Sequence, residues 1–393
     1  MHIIRSAVSV AIVSSLLLAG CGGTEKNVAT SSGASSPTAA GSSLSSSLAG
    51  VCPDPLVIQG NWLPAPELGA LYSFIQGDPK IDTGAKKVSG RLVTRGIDMG
   101  IRLELRAGGP AIGYTQTGAQ MYLDKSIQMA ATSLDESIQL YAKQPTLSVY
   151  AFLDGDGQGI LWDPQTYPDF KTIADIGKTN ATVLYFDGDT YMQYLIGAGI
   201  LKKSQVDGSY DGSPSKFVAG NGKYAQSGFV TNEPYVLEHD VKQWGKPVKY
   251  QLINDAGYPN YGIDLAIPTA KKDELAPCLK RLVPLIQRSS VDFIDSPATT
   301  LDFIFRLNEA YKGNTDHSPA LLAYDAKTLK DTGLVGNGKN STIGDFDLAD
   351  VQKLLDITVP IFKAQKSGPA SPLGPTELVT NEFVDPAIGR PAG

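Results

Sequence analysis

The residues of this chain that could carry chemistry are few, and most of them lack partners at a useful spacing. Beyond His2 there are two histidines, His239 and His317, and neither sits in an HExxH or other metal-binding spacing. A Ser-His-Asp hydrolase would need a nucleophile elbow, and no G-x-S-x-G occurs. Two Asp-Thr-Gly triplets, Asp82-Thr83-Gly84 and Asp331-Thr332-Gly333, have the residues of a paired-aspartate site. The residues that follow them, Ala85 and Leu334, and the charged neighbours Lys80 and Lys330 do not supply the apolar flanks such a site uses. Gly333 to Asn340 comes within one residue of a phosphate loop, but Asn340 replaces the Ser/Thr that would hold magnesium. Asp154-Gly155-Asp156-Gly157 begins like a calcium loop, yet the twelfth position is Gln165 rather than Glu. These patterns predict no catalytic residue, no metal and no cofactor.

One cysteine offers chemistry of another kind. Cys21 ends an apolar run that starts near Ala7, behind the basic start Met1-His2-Ile3-Ile4-Arg5. A cationic end, an apolar stretch too short to span a bilayer, and small residues at a cleavage point make a secretory signal. Leu18-Ala19-Gly20-Cys21 resembles the bacterial lipobox, which implies lipidation of Cys21 after removal of the signal in residues 1–21. An ordinary signal peptide with an accidental cysteine is the alternative. Gly22 to Gly50 is rich in Ser, Gly, Ala and Thr and cannot offset the entropy of folding. Residues 22–50 are therefore expected to be a flexible linker spanning roughly 30 Å, with folding from about Val51. The expected location is extracytoplasmic, lipid-anchored to the cell membrane.

Composition bounds the rest. The 393 residues, 42% hydrophobic and 19% charged, support a substantial core in one two-lobed unit or two domains. A net charge of -6 and a pI of 5.2 give no basic footprint for nucleic acid. No further apolar run approaches the ~18 residues of a spanning helix. With Cys21 assigned to lipid, Cys52 and Cys278 remain. In an oxidising compartment they are expected to pair, two buried thiols being the alternative.

The elements that must position any site alternate between strand and helix. Leu56–Trp62 reads as a strand, stopped by Leu63-Pro64-Ala65-Pro66, with a helix over Glu67–Gln76. Trp62 then stands at a strand's carboxyl end, where ligands bind in open α/β sheets, although core packing would explain it as well. Strands follow at Gly90–Thr94 and Ile101–Arg106, then the Gly-rich turn Ala107–Gly113, whose backbone could approach a ligand closely. A helix over Tyr114–Leu123, a strand over Ser126–Ala131 and a helix over Leu134–Lys143 lead to the strand Thr146–Leu153. Asp154 to Gly159 marks the crossing into a second lobe. There the strand Thr182–Phe186 turns through Asp187-Gly188-Asp189-Thr190 into a helix, so Asp189 and Thr190 either cap it or touch a ligand. Gln226–Thr231 and Pro247–Ile253 are further strands, and Tyr258–Pro268 returns to the first lobe with Tyr258 and Tyr261 at the hinge. Helices are expected over Leu275–Arg288, Pro297–Lys312 and Leu348–Lys366, with Glu377–Phe383 packing back. The fold class is α/β, with mixed, mostly parallel sheets flanked by helices in two lobes. Residues 51–153 and 261–393 make lobe one and residues 154–260 lobe two, around a cleft that closes by hinge motion.

Together these features resemble the substrate-binding lipoproteins of bacterial ABC importers, with the type II periplasmic-binding-protein (Venus-flytrap) fold. Asn61–Glu67, Arg106–Gly113, Ser133–Glu136, Glu233-Pro234 and Thr380–Phe383 are similar to the thiamine-precursor and alkanesulfonate branch of that group, over nearly all of Cys52 to Pro391. The resemblance implies a monomeric receptor, not an enzyme, that hands a small-molecule solute to permease and ATPase subunits. It implies ligand contacts from Trp62, Glu67, Gly109, Pro110, Ala111 and Asp135 of lobe one, and from Asp187, Gly188, Asp189, Thr190 and Glu233 of lobe two. Trp62, Tyr258 and Tyr261 could sandwich a flat ring, worth about 0.5–1.5 kcal/mol beyond burial. Glu67 and Glu233 suit ring N–H or amino donors, which favours a pyrimidine- or flavin-like ligand. A desolvated sulfonate or nitrate beside an acid is costly, and only Arg106 stands near the expected cleft. A binder of alkanesulfonate, taurine or nitrate is the alternative on this scaffold, and a secreted cell-envelope enzyme the alternative in kind. The His- and Cys-rich motif of the related pyrimidine-making enzyme is absent.

Overall fold

A computed structural model describes residues 47–312 and 317–391. The signal, Cys21 and most of the expected linker lie outside them. Packing begins ahead of Val51: Leu48 is fully buried, and its N–H donates to the Met99 carbonyl at 2.8 Å. Ser47 to Gly50, expected in the linker, therefore belong to the folded unit.

Strands β1 (Leu56–Gln59), β2 (Lys80–Asp82), β3 (Lys87–Thr94), β4 (Ile97–Arg106), β5 (Met129–Thr132) and β6 (Thr146–Ala151) precede the crossing. In the second lobe follow β7 (Gln158–Trp162), β8 (Thr182–Leu184), β9 (Val206–Asp207), β10 (Tyr224–Phe229) and β11 (Lys249–Leu252), and β12 (Asp264–Pro268) returns. The seven-stranded sheet runs β2-β3-β4-β1-β5-β12-β6 and the five-stranded sheet β11-β7-β10-β8-β9. In the first, β1 is parallel to β4 and β5, while β12, arriving from the other lobe, lies antiparallel between β5 and β6. This is the two-lobed type II periplasmic-binding-protein fold. Helices cover both faces of the central strands, so β1, β5 and β6 are buried along their whole length. The β3–β4 hairpin instead alternates, with Arg95 and Gly96 both at positive φ in its two-residue turn.

The expected helix after Pro66 is short, a turn over Pro66–Leu68 and one helical turn over Gly69–Tyr72. The helix expected over Leu275–Arg288 runs instead from Lys272 to Asp295, through Pro277 and Pro284. Its stripe Leu275, Leu279, Leu282, Ile286 and Phe293 is buried, and that burial outweighs the hydrogen bond lost at each proline. Strand β7 and the helix Pro319–Asp331 were not expected. The latter starts at Ser318, whose hydroxyl accepts from Leu321 N–H.

One apolar core continues through both lobes. Leu134 and Ile138 of lobe one, Trp162 and Val183 of lobe two, and Val351, Leu354 and Phe362 of the helix Leu348–Ala364 share it. That last helix packs against helices Leu134–Leu140 and Thr190–Gly197, one in each lobe. The tail also packs back: Thr380 N–H donates to the Ser148 carbonyl, covering the β6 edge. Among the described residues no helix is long and apolar enough to cross a membrane.

Cys52 and Cys278 form a disulfide across 226 residues of sequence, joining the segment before β1 to the long helix. So large a closed loop restricts the unfolded chain. Replacing both cysteines by serine is expected to lower the unfolding free energy by about 2–5 kcal/mol, read as a lower urea midpoint.

Candidate ligand-binding site between the lobes

Strands β1 and β4 end side by side, and the loops beyond them make the wall of lobe one. Gly60 N–H donates to the Arg106 carbonyl and Gly108 N–H to the Trp62 carbonyl, both at 2.8 Å. A Cβ on residue 108 would lie 2.2 Å from the Gly60 oxygen, so the approach requires glycine. Gly109, at φ +54°, lies against the indole, where a Cβ would come within 2.4 Å of the ring. Trp62 thus rests on glycine backbone with 41% of its surface exposed, and Tyr114 tilts against it with ring centroids 5.8 Å apart. Pro110 and Ala111 are half-buried in the intervening turn. On lobe two, Phe186 follows β8, exposed and edge-on to Tyr210 at 4.7 Å, with Asp187 and Gly188 exposed beside it.

Two junctions bring the lobes together. In the first, Glu67 accepts a hydrogen bond from the Thr231 hydroxyl at 3.0 Å. Glu233 accepts from Phe229 N–H at 2.7 Å and from the Tyr210 hydroxyl at 3.4 Å. Helix Pro319–Asp331 adds Asp325 to this group and sets Tyr324 against Tyr235, centroids 5.3 Å apart. In the second, Asp135 and Glu136 open the helix Leu134–Leu140 and face Asp189 and the crossing segments. Tyr258 donates to Asp135 at 2.9 Å, and Tyr191 to Asp189 at 2.7 Å. Asn260 donates to Asp156 at 2.8 Å and to Ser133 at 3.0 Å. The Asp189 carboxylate makes no cap to the helix that Thr190 begins.

Burial, more than any neighbour, raises these carboxyls: Glu136 to about 8, Asp264 and Glu233 to about 7, and Asp156 and Asp189 to about 6. Glu67 and Asp325 rise as well, for the same reason first. Asp264 accepts from Thr132 at 2.6 Å and Ser148 at 2.8 Å through one oxygen only. None of these carboxyls is in an ion pair among the described residues. Arg106 is committed to Glu104 at 2.8 Å and Asp124 at 2.7 Å. Lys339, the lysine of the phosphate-loop-like stretch, is held by Asp347 at 2.9 Å and Asp350 at 2.6 Å. The Asp-Thr-Gly triplets are likewise spent on local structure, Asp82 accepting from Ala85 N–H and Asp331 pairing with Lys327.

Of the aromatic trio expected to sandwich a ring, Trp62 has Tyr114 as its ring neighbour. Tyr258 packs against Tyr194 and Tyr261 against Phe346, both buried. Their hydroxyls hold them there, one donating to Asp135 and the other accepting from Asp347 N–H at 2.8 Å. Tyr261 also lines a cavity of about 410 Å³ beside the crossing segments, together with Asp154, Asn254, Asn260 and Lys339. Sequence reasoning left out Tyr114, Phe186, Glu136, Asp156 and Asp325. The first four stand beside motifs that it did single out. Asp325 had no signal, because its helix was not expected. Exposed rings beside acceptors that lack cations can stack a flat group and take up N–H donors.

The two sheets and the segments that cross between them define a two-lobed α/β fold. No family model matches the sequence, and no curated protein aligns with it. Among solved structures the chain is similar to the aliphatic sulphonate binding protein SsuA from Escherichia coli, at 12% identity and TM-score 0.51, covering 80% of this chain and 89% of that one. It is similar to the alkanesulfonate-binding protein SsuA from Xanthomonas axonopodis pv. citri bound to MOPS, at 12% identity and TM-score 0.51, covering 84% and 99%. A putative periplasmic sulfonate-binding protein SsuA from Methylobacillus flagellatus KT matches at 12% identity and TM-score 0.51, covering 84% and 93%. At such identities the likeness shows the fold alone.

The raised carboxyls fix a sign. Each binds its proton more tightly folded than unfolded, so the folded state gains stability as pH falls through about 8 to 6 and loses it as pH rises. The ligand-free protein is expected to melt several degrees higher at pH 5.5 than at pH 8. Asp264→Asn should flatten that slope in melts across the same range.

Proposed function

We propose that this protein is the solute-binding receptor of an ABC importer, held outside the cell membrane by lipid on Cys21. It captures a nitrogen-rich heteroaromatic solute, thiamine-pyrimidine-like or flavin-like, between its lobes and passes it unchanged to permease and ATPase subunits. The observation that carries this reading is the set of interlobe carboxyls that no lysine or arginine pairs with, in a chain that also exposes the Trp62–Tyr114 pair. The rings offer a stacking face, Glu67 and Glu233 offer acceptors to ring N–H and amino groups, and Asp135 and Asp189 line the other junction. The type II fold and the solved importer-binding proteins that share it support the receptor role. An alkanesulfonate, taurine or nitrate would suit those neighbours, but it would meet only acids here, with Arg106 already engaged. The triplets and the phosphate-loop-like stretch are tied into local ion pairs and turns, which supports binding rather than catalysis.

Tryptophan fluorescence and thermal melting of the full chain against pyrimidine precursors, thiamine, riboflavin, alkanesulfonates, taurine and nitrate test this reading. A heteroaromatic at 100 times its Kd should stabilise the fold by about 2.7 kcal/mol and be recovered intact. Trp62→Ala should weaken that ligand by about 1 kcal/mol, roughly fivefold, with the melting temperature of the free protein little changed. Binding of sulfonates alone would replace the ligand class, and turnover of the solute would replace the receptor reading. Cys21→Ser should move the protein from the membrane fraction to the soluble fraction of expressing cells.

A further inference from the structure

The helix Pro319–Asp331 buries Asp325 to 5% exposure, yet one carboxyl oxygen, Oδ1, has no hydrogen-bond partner among the described residues. The groups that face it are Glu67, Thr231 and Glu233. Thr231 is fully buried, and its hydroxyl, which faces both Asp325 and Glu67, has one proton to give and lies 3.0 Å from Glu67. Glu233 takes Phe229 N–H on one oxygen and the Tyr210 hydroxyl on the other. Three carboxyls therefore offer more acceptor positions than the chain supplies with donors, and they converge from both lobes without a counter-charge. Glu67 and Glu233 are half-buried, and Asp325 is buried more deeply than either. Among the described residues no set of His, Cys, Asp or Glu side chains has the arrangement of a metal centre. What satisfies such a group is a positive charge that also brings several N–H donors.

We propose that Glu67, Glu233 and Asp325 form a subsite for the protonated nitrogen head of an organic cation, an ammonium, amidinium or guanidinium. This deepens the receptor reading and rests on it: the head sits against Asp325 and the rest of the ligand lies along the seam. An N–H-bearing head is preferred over a quaternary one, because the acceptors need protons as well as charge.

The test uses the full chain, with agmatine and methylguanidinium as N–H-bearing cationic probes, choline as a cation without N–H, and taurine and nitrate as anions, ionic strength being matched with sodium chloride. At least one N–H-bearing cation should raise the melting temperature by several degrees, with choline and the anions without effect. Asp325→Asn and Glu233→Gln remove charge without volume. Each should raise the melting temperature of the free protein, because it relieves repulsion, and yet weaken the cation at least tenfold. A purely structural carboxyl predicts the reverse, a lower melting temperature with affinity unchanged within twofold, and that result overturns the subsite. Binding of a sulfonate, or of a neutral heteroaromatic that Asp325→Asn leaves untouched, overturns the subsite and leaves the receptor standing. If nothing in either panel binds, both readings fall.

Discussion

A carboxylate taken out of water must find protons, donors or an opposite charge, and the seam between the lobes of this protein supplies too few of all three. Glu67, Glu233 and Asp325 meet at one junction, and Asp135, Glu136, Asp156 and Asp189 at the other. The donors they do find are uncharged groups, among them the Thr231, Ser133, Tyr191, Tyr210 and Tyr258 hydroxyls, the Asn260 amide and the Phe229, Glu136 and Gln158 N–H groups. Bringing the lobes together is therefore electrostatically uphill unless protons or a cation accompany the motion. In the receptor proposed above, closure, ligand charge and pH would form one coupled equilibrium, with the acids making the wrong charge expensive.

The rest of the architecture can be read as what tolerates that cost. A shared apolar core and the helix Leu348–Ala364, in contact with both lobes, hold the seam shut where its charges alone would not. The disulfide fixes the long helix to the segment ahead of β1, and beyond β1 Trp62 rests on the backbone of Gly108 and Gly109. Aromatic mounting and strained electrostatics sit within one loop of each other, between Trp62 and Glu67.

Much of this was legible in the sequence, for identifiable reasons. Central strands such as β1 and β5 are short apolar or small-residue runs ended by Gly60 and Ser133, β6 starts after Pro145, and the period-two alternation of β4 marks its half-open face. The glycines that mount Trp62 stand out because a Gly-Gly-Pro turn follows a strand. What the sequence hid depends on tertiary contact. Gln158–Trp162 follows a Gly- and Asp-rich run that reads as a turn, and only pairing with β10 and β11 makes it a strand. Pro319–Asp331 is a short helix of weak amphipathic pattern, so Asp325 looked like any surface acid. Tyr258 and Tyr261 lie on the segment that leads from β11 back to β12. Which way a ring points, however, is decided by where its hydroxyl finds a partner, and the sequence does not encode that locally.

The path of the chain has a practical consequence. Ser47 is fastened to β4 and to Arg281, and Arg390 is bonded to Asn337 and Asp295, so the first and last described segments both belong to the lobe-one side. Lobe two is an excursion entered and left through two adjacent strands of backbone. A load, surface or fluorophore attached near either end is therefore carried by one half of the molecule and leaves the other half unencumbered. Two dyes placed near the ends would ride together and stay silent during closure. One dye near an end and a second on the exposed turn at Gly188 would sit on different lobes, so in the receptor proposed above the distance between them would report closure.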